Sequence, residues 1–294
     1  MNQYTSFKVE PNEKNQDYAN VITHCENIWM IIVDGHGRHH VPLPPNTPDL
    51  VTWLKKLDWV SIVDECTIAT HLTIDPVRHI VKMIDQAFVS TAGIGASISI
   101  ACISPMDVKM WWRGDSLIKL YEDGFLVAST RNFSVMDECE KERLKTQNIS
   151  YTIQHSHQIK ALNDTQMTMV NNPYCIFSLK TCSTIKEKIA ITQVIGHDNV
   201  CGDCDNNLLY KLVKGKTYKL VGGSDGLWDV MSETNADRMW VSSPITDATQ
   251  LVSKALERWQ QPWVYIWKDD IRNAGVVMTD RDDICAATVH LLSS

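Results

Sequence analysis

The stretch Ile31-Ile32-Val33-Asp34-Gly35-His36-Gly37 is an apolar run that stops abruptly at a carboxylate, a glycine and a histidine. It predicts a core strand that delivers polar groups at its tip. Asp34 offers two hard oxygens to a cation, and Gly35 lets the backbone bend so that its own carbonyl can face the same ion. His36, the next residue, is of a type that moves protons near neutral pH. Taken alone, the stretch reads equally as a strand running into an Asp-Gly turn with a solvated histidine. Recurrence of the pattern later in the chain decides between the two.

Upstream, residues 7–9 and 19–24 read as strands, the second joined to 28–33 by a turn at Glu26-Asn27, and the polar loop 10–16 brings Asp17 within reach of Asp34. Downstream, the proline-rich loop 42–48 leads into a helix opened by Thr47-Pro48-Asp49 and running through Val51, Leu54 and Leu57. A second helix starts at Asp75-Pro76, with Val77, Ile80, Val81, Ile84, Ala87 and Phe88 on one face. Strand patterns at 96–103, 108–113, 117–121 and 125–128 predict an antiparallel meander. In the charged helix 135–145, Glu138, Glu140, Glu142 and Arg143 read as a solvated face. The stretch 147–188 is irregular. Strands follow at 208–213 and 217–221, helices at 237–241 and 247–259, and a last strand at 284–292 behind Asp282-Asp283. No repeat or linker interrupts the pattern, so a single domain over 1–294 is expected.

The net charge of -7 over 294 residues argues against a nonspecific grip on nucleic acid or anionic membrane. No apolar run approaches the roughly 20 residues that span a bilayer. The polar, acidic residues 1–18 do not resemble a secretory signal, so a cytoplasmic or nuclear protein is expected. Nine scattered cysteines show no disulfide framework and are expected as thiols. Cys201 and Cys204 have a C-x-x-C spacing that His155, His157 and His197 would have to complete as a zinc site. A second such pair is missing, and a surface turn is the expected reading. The late aromatics Trp240, Trp259, Trp263, Tyr265 and Trp267 fit core packing before a docking surface.

Asp17, Asp34, Asp225 and Asp282 share a position type, each at a strand end or in the loop feeding one. Converging carboxylates repel one another unless cations neutralise them. An all-oxygen set without clustered cysteine or histidine points to magnesium or manganese.

The stretches Val33-Asp34-Gly35-His36-Gly37, Gly114-Asp115-Ser116, Ser224-Asp225-Gly226-Leu227-Trp228-Asp229-Val230-Met231-Ser232 and Arg281-Asp282-Asp283 resemble, in order and spacing, the motifs of the metal-dependent serine/threonine phosphatases called protein phosphatase 2C. The resemblance runs from about Asn15 to the C-terminus. It implies an α+β fold, a four-layer α-β-β-α sandwich of two antiparallel sheets flanked by helices, with a centre for two Mg2+ or Mn2+ ions at one edge. In that centre Asp34 bridges both ions, the Gly35 carbonyl joins it, Asp225 and Asp282 hold one ion, and Gln16-Asp17 lie near the other. His36 matches the proposed general acid, and attack on phosphorus by a metal-bridging water needs no nucleophilic cysteine. The substrates so implied are phosphorylated proteins, handled by a monomer.

This sequence departs from the family at several positions. The arginine that holds the substrate phosphate is Asn12 here, leaving Lys14 or Arg38 as stand-ins. Gln16 stands where many members have glutamate, so four ionised aspartates remain for two divalent ions to neutralise. Asn132 occupies the place of an aspartate of a third, weaker metal site, which puts that metal in doubt. The family's Gly-Asp pair appears as Gly196-His197, preceded by Gln193 in place of arginine. Two readings follow. One is an active phosphatase, supported by Asp34, Gly35, His36, Asp225 and Asp282. The other is a pseudophosphatase that binds phosphoproteins without turnover, supported by Asn12, Asn132 and His197.

Overall fold

Three strands open the chain: β1 (Gln3–Glu10), β2 (Asp17–His24) and β3 (Asn27–Gly37). The structure is a computed structural model describing residues 3–37, 49–69, 72–91, 93–133, 137–149, 191–197, 206–231, 235–260 and 282–292, with short strand segments between 153 and 189 and between 262 and 277. β3 is apolar on both faces, and it lies between β2 and β6 (Ile94–Ile103) with every residue from Ile28 to Gly37 paired. Asp34, Gly35 and His36 are therefore ladder residues opposite Ser97, Ala96 and Gly95, and the Asp-Gly turn reading is wrong. The β2–β3 turn falls at Cys25-Glu26, one residue earlier than expected, because both take left-handed φ angles of 48° and 66°.

Helix α1 (Leu50–Lys55) is capped by Asp49, whose side chain accepts from the Thr52 amide. Thr47 and Pro48 lie outside the described residues. The helix ends before Leu57, since Asp58 caps a new one, α2 (Trp59–Cys66), that the apolar pattern did not separate. After β4 (Thr67–Ala69) and β5 (Leu72–Thr73), α3 (Pro76–Ala87) starts at the expected Asp75-Pro76 cap and buries Val77, Ile80 and Ile84.

The expected meander is divided. β6 pairs with β7 (Asp107–Arg113), and β8 (Leu117–Glu122) pairs with β9 (Phe125–Ser129), but the two pairs belong to different sheets. Gly114, at φ +91°, redirects the chain where an added Cβ would lie 2.2 Å from Ser97 Cβ. Asp115 consequently sits at the seam. Helix α4 (Glu138–Thr146) follows, and its Glu140 is buried, not part of a solvated face. Short strands β10 to β14 span Ile153–Gln154, Gln158–Ala161, Thr168–Met169, Tyr174–Ser178 and Lys186–Ile189. β15 (Ile195–Gly196), β16 (Asn207–Lys211), β17 (Thr217–Gly223), α5 (Asp225–Trp228), α6 (Asn235–Ser242) and α7 (Ala248–Trp259) complete the central region. β18 (Pro262–Trp267) and β19 (Asp270–Val277) pair with each other, and β20 (Ile284–Leu292) returns to the centre. Trp263, Tyr265 and Trp267 thus belong to a strand that the sequence reading left unassigned.

Two antiparallel sheets, ordered β1-β20-β17-β8-β9 and β16-β7-β6-β3-β2, form the centre. Alternation along β3 builds the layers. Met30 and Ile32 face Leu120, Leu220 and Val289 between the sheets, and Ile31 and Val33 face Leu54, Ile80 and Ile84 of α1 and α3. On the far side Val221, Ile284 and Ala286 pack against Leu251, Val252 and Ala255 of α7. This is the α-β-β-α sandwich. Gly222 lets the sheets meet, for a Cβ there would stand 2.7 Å from Met30 Sδ. Among the described residues, no helix is long and apolar enough to cross a membrane.

Candidate metal and phosphate site

The ends of both sheets bring the candidate carboxylates together. Asp17 opens β2 directly opposite Asp34 of β3, Asp225 opens α5 just after β17, and Asp282 lies just before β20. Asp17 is 2% exposed and accepts a hydrogen bond from Ser224 Oγ at 2.6 Å. Ser224 Oγ also accepts from the Cys285 amide at 3.1 Å, which ties the loop before α5 to β20. Gly226 packs on the backbone of Asp283, where a Cβ would be 1.9 Å from the carbonyl oxygen, and Trp259 Nε1 donates to the Gly226 carbonyl at 2.7 Å. These contacts explain why the Asp-Gly pair is needed at 225–226.

Burial dominates the electrostatics. It lifts Asp34 well above the ordinary carboxylate range, with Asp225 and Asp17 adding repulsion. Asp225 is lifted likewise, by burial and then by Asp282 and Asp115. Asp17 is pushed up to about 7 by burial, the Ser224 hydroxyl opposing. Two acids outside the sequence-derived ligand set join the group. Asp115 rises to about 6 and Asp229 to about 7, each mainly by burial, with Asp282 repelling both. The signals were present: Asp115 lies within the quoted Gly-Asp-Ser stretch, and Asp229 is four residues after Asp225, on the same helical face. Six carboxylates, not four, share this space, and two divalent ions do not neutralise six charges.

Asp225 Oδ1 and Asp115 Oδ1 are buried without a hydrogen-bond partner. Buried acceptors of this kind are costly unless a proton or a cation completes them. The donor set is oxygen throughout, which fits hard cations such as Mg2+ or Mn2+. Among the described residues, a trio of ligand atoms that all fall within 4.8 Å of one another is formed by His24, Cys25 and Asp64, elsewhere in the fold.

The loop 10–16 is pinned from below. Asp283 accepts from the backbone amides of Asn12 and Gln16, the latter at 2.5 Å. Asn12 Oδ1 accepts from the Lys14 amide at 2.6 Å, closing an Asx turn, so this side chain shapes the loop where the resemblance expects a phosphate-holding arginine. Lys14 Nζ lies 3.8 Å from Asp282 at the mouth. Lys55, which the sequence reading did not single out, donates to the Asn15 carbonyl at 2.6 Å and to its Oδ1 at 2.9 Å. Gln16 accepts from the Gly35 amide through its carbonyl and turns its side-chain amide to the Gly37 carbonyl at 3.5 Å. Gly35 has no room for a side chain, because a Cβ would come 2.1 Å from Val51 Cγ2.

His36 meets His197, their Nε2 atoms 2.9 Å apart and their rings stacked at 5.0 Å. Gly95 makes room for both, since a Cβ there would lie 2.7 Å from His197 Nε2 and 2.9 Å from His36 Nε2. Burial, and secondarily His197, hold His36 down at about 3, so its imidazole is neutral near neutral pH. His197 is itself buried at φ +51°, next to β15 on β6. Asn132 is exposed. Arg38, Cys201, Cys204, His155 and His157 lie outside the described residues.

No protein-family model matches the sequence, and no curated protein does. Solved structures match the fold. A C. elegans sex determining protein superimposes with a TM-score of 0.59 at 10% identity over 98% of this chain, which spans 64% of that protein's length. A serine-threonine phosphatase 2C from Toxoplasma gondii gives 0.57 at 15% identity, covering 97% of this chain and 94% of its own. A serine/threonine phosphatase from Mycobacterium tuberculosis gives 0.50 at 13% identity, with 98% of each chain covered. The chain has the protein phosphatase 2C-like fold.

Proposed function

We propose that this chain is a metal-dependent protein phosphatase acting on phosphoserine and phosphothreonine. The observation that carries the reading is the convergence of Asp34 and Asp225, both lifted by burial, with the part-exposed Asp282 repelling them and an unpartnered oxygen on Asp225. Asp34, the Gly35 carbonyl, Asp17, Gln16, Asp225 and Asp282 would hold two Mg2+ or Mn2+ ions. When bound, such ions lower the pKa of a water and hold a phosphate in line for its attack. The chain supplies the rest. Ser224 fixes the orientation of Asp17, and Gly35 admits the backbone to the site. His36, neutral in the free protein, would take up a proton beside the anionic phosphate and give it to the departing serine or threonine oxygen, with His197 2.9 Å away as its hydrogen-bond partner. Lys14 would hold a phosphate oxygen as a point charge, and Arg38 would be a second cation for the same task.

Asp115 and Asp229 add negative charge that two ions leave uncompensated, which supports either bound protons near neutral pH or a further, weaker cation at that end. Phosphorylated proteins would be the substrates of this single domain, a monomer in the cytoplasm or nucleus.

Hydrolysis of p-nitrophenyl phosphate and of a phosphothreonine peptide, with and without millimolar Mn2+, tests the reading. Turnover that requires Mn2+ and is lost in Asp34→Ala and Asp225→Ala is expected. A second reading, a phosphoprotein-binding module without turnover, draws on Asn12, whose side chain is committed to the loop. Two bound ions with no hydrolysis of either substrate would favour it.

A further inference from the structure

At the other end of β3, three groups of different chemistry face one another. His24 closes β2, Cys25 stands in the turn, and Asp64 lies on α2. His24 Nε2 is 3.0 Å from Asp64 Oδ1 and 3.1 Å from Cys25 Sγ. One ring nitrogen has a single in-plane position, either an N–H that donates to Asp64 or a lone pair that accepts from the thiol. Hydrogen bonding through Nε2 therefore does not serve both neighbours at full strength. A cation among the three does.

We propose that His24, Cys25 and Asp64 form a binding site for a borderline-soft divalent cation of the zinc class, separate from the carboxylate centre. Imidazole nitrogen, thiolate sulfur and carboxylate oxygen are the donors that Zn2+ takes, and the three ligand atoms all fall within 4.8 Å of one another. Tetrahedral zinc with ordinary bond lengths sets its donors roughly 3.3–3.6 Å apart, so the two separations from His24 Nε2 need to open by about half an ångström while Cys25 and Asp64, within 4.8 Å of each other, settle to the same spacing. Cys25 and Asp64 are exposed, which gives the ion a path in and leaves a fourth position to water.

The turn adds a second observation. Cys25 and Glu26 occupy a two-residue hairpin loop in left-handed backbone, where Asn-Gly is the favoured pair. This turn sets Cys25 Sγ 3.1 Å from His24 Nε2, beside the helix that carries Asp64. The ion would tie the β2–β3 hairpin to α2. From Asn27 to Asp34, β3 runs about 23 Å at ~3.3 Å per residue, so the two sites do not share a ligand.

Co2+ added to the full chain in saturating Mg2+ is the test, because a Co2+–thiolate bond gives a near-ultraviolet charge-transfer band that oxygen ligands do not. The band is expected to saturate at one Co2+ per chain and to be displaced by Zn2+. It should be lost in Cys25→Ser and survive in a Cys201→Ser/Cys204→Ser variant, and His24→Gln should weaken Co2+ binding at least tenfold. Circular dichroism of each variant confirms folding, which a change in an exposed turn leaves intact. Absence of the band in the parent, or its survival in Cys25→Ser, would overturn the assignment.

Discussion

Asp17 and Asp34 stand directly opposite each other across the β2–β3 ladder, two acids as cross-strand partners. Like charges in such a pair destabilise a sheet, and burial compounds the effect. Asp17 and Asp229 are held near 7 and Asp115 near 6. A carboxyl whose pKa is higher folded than unfolded binds more protons in the folded state, so its contribution is greatest below the unfolded value of 3.8 and is lost as pH rises through the folded pKa. Metal-free protein should therefore lose a few kcal/mol between pH 5 and pH 7.5. Urea unfolding in EDTA and in millimolar Mn2+ measures this, with Mn2+ expected to restore the loss at pH 7.5. Stability in EDTA that rises over that window would contradict the argument.

Asp225→Asn separates fold from chemistry. Removing a charge that burial and four neighbouring acids disfavour should raise metal-free stability at pH 7.5 by about 1–3 kcal/mol. The same change should abolish Mn2+-dependent turnover of p-nitrophenyl phosphate. Calorimetry with an activity assay on the same sample checks both, and a variant that is less stable without metal would show that Asp225 serves packing instead.

Much of this was legible in the sequence because strand ends and caps leave local signals. The Asp75-Pro76 cap, the apolar face of α3 and the strand Ile284–Leu292 follow from residue type and spacing. Other features depend on tertiary context. The crossing at Gly114 between sheets is a choice made by Ser97 packing beneath it, and a meander with the same local pattern was an equal solution. Glu140 has the sequence surroundings of a solvated helix, yet its burial is decided by Thr192 and Gln193, 52 and 53 residues away. Asp115 and Asp229 were visible as residues, but only folding shows that they face Asp282.

The His36–His197 contact makes a prediction about leaving groups. A serine or threonine alkoxide needs a proton to depart, whereas p-nitrophenolate does not. His36→Ala should lower kcat on a phosphothreonine peptide by about 10²–10⁴-fold and lower it far less on p-nitrophenyl phosphate. Equal losses on both substrates would assign His36 to metal or phosphate positioning instead of proton transfer.

Under the proposed function Lys14 would take the phosphate contact of the arginine in the family this chain resembles, while Asn12 holds the loop. Lys14→Ala removes a charge at the mouth and should raise KM for phosphate esters with a loss of about 1.5–3 kcal/mol in kcat/KM. Asn12→Arg should lower KM by supplying a bidentate donor, while the lost Asx turn costs about 1 kcal/mol of stability. Steady-state kinetics and thermal unfolding of both variants are the measurement. An unchanged KM in Lys14→Ala would remove Lys14 from the phosphate site.

Glu140 connects α4 to the segment that carries His197. Its carboxylate accepts from Arg143 Nη2 at 2.9 Å, from Thr192 Oγ1 at 2.6 Å and from Gln193 Nε2, and Gln193 Oε1 in turn accepts from Asn206 at 2.5 Å. Glu140→Ala leaves Arg143 largely buried without its carboxylate and should cost about 3–5 kcal/mol of stability, read from urea unfolding. Glu140→Gln keeps the acceptor oxygen for Thr192 or Gln193 but not the ion pair, and should cost less. Because Thr192 and Gln193 lead into β15 and His197, Glu140→Ala should also lower turnover of a phosphothreonine peptide more than that of p-nitrophenyl phosphate, following the His36→Ala pattern at smaller amplitude. A stability loss with the ratio of the two activities unchanged would confine Glu140 to the fold.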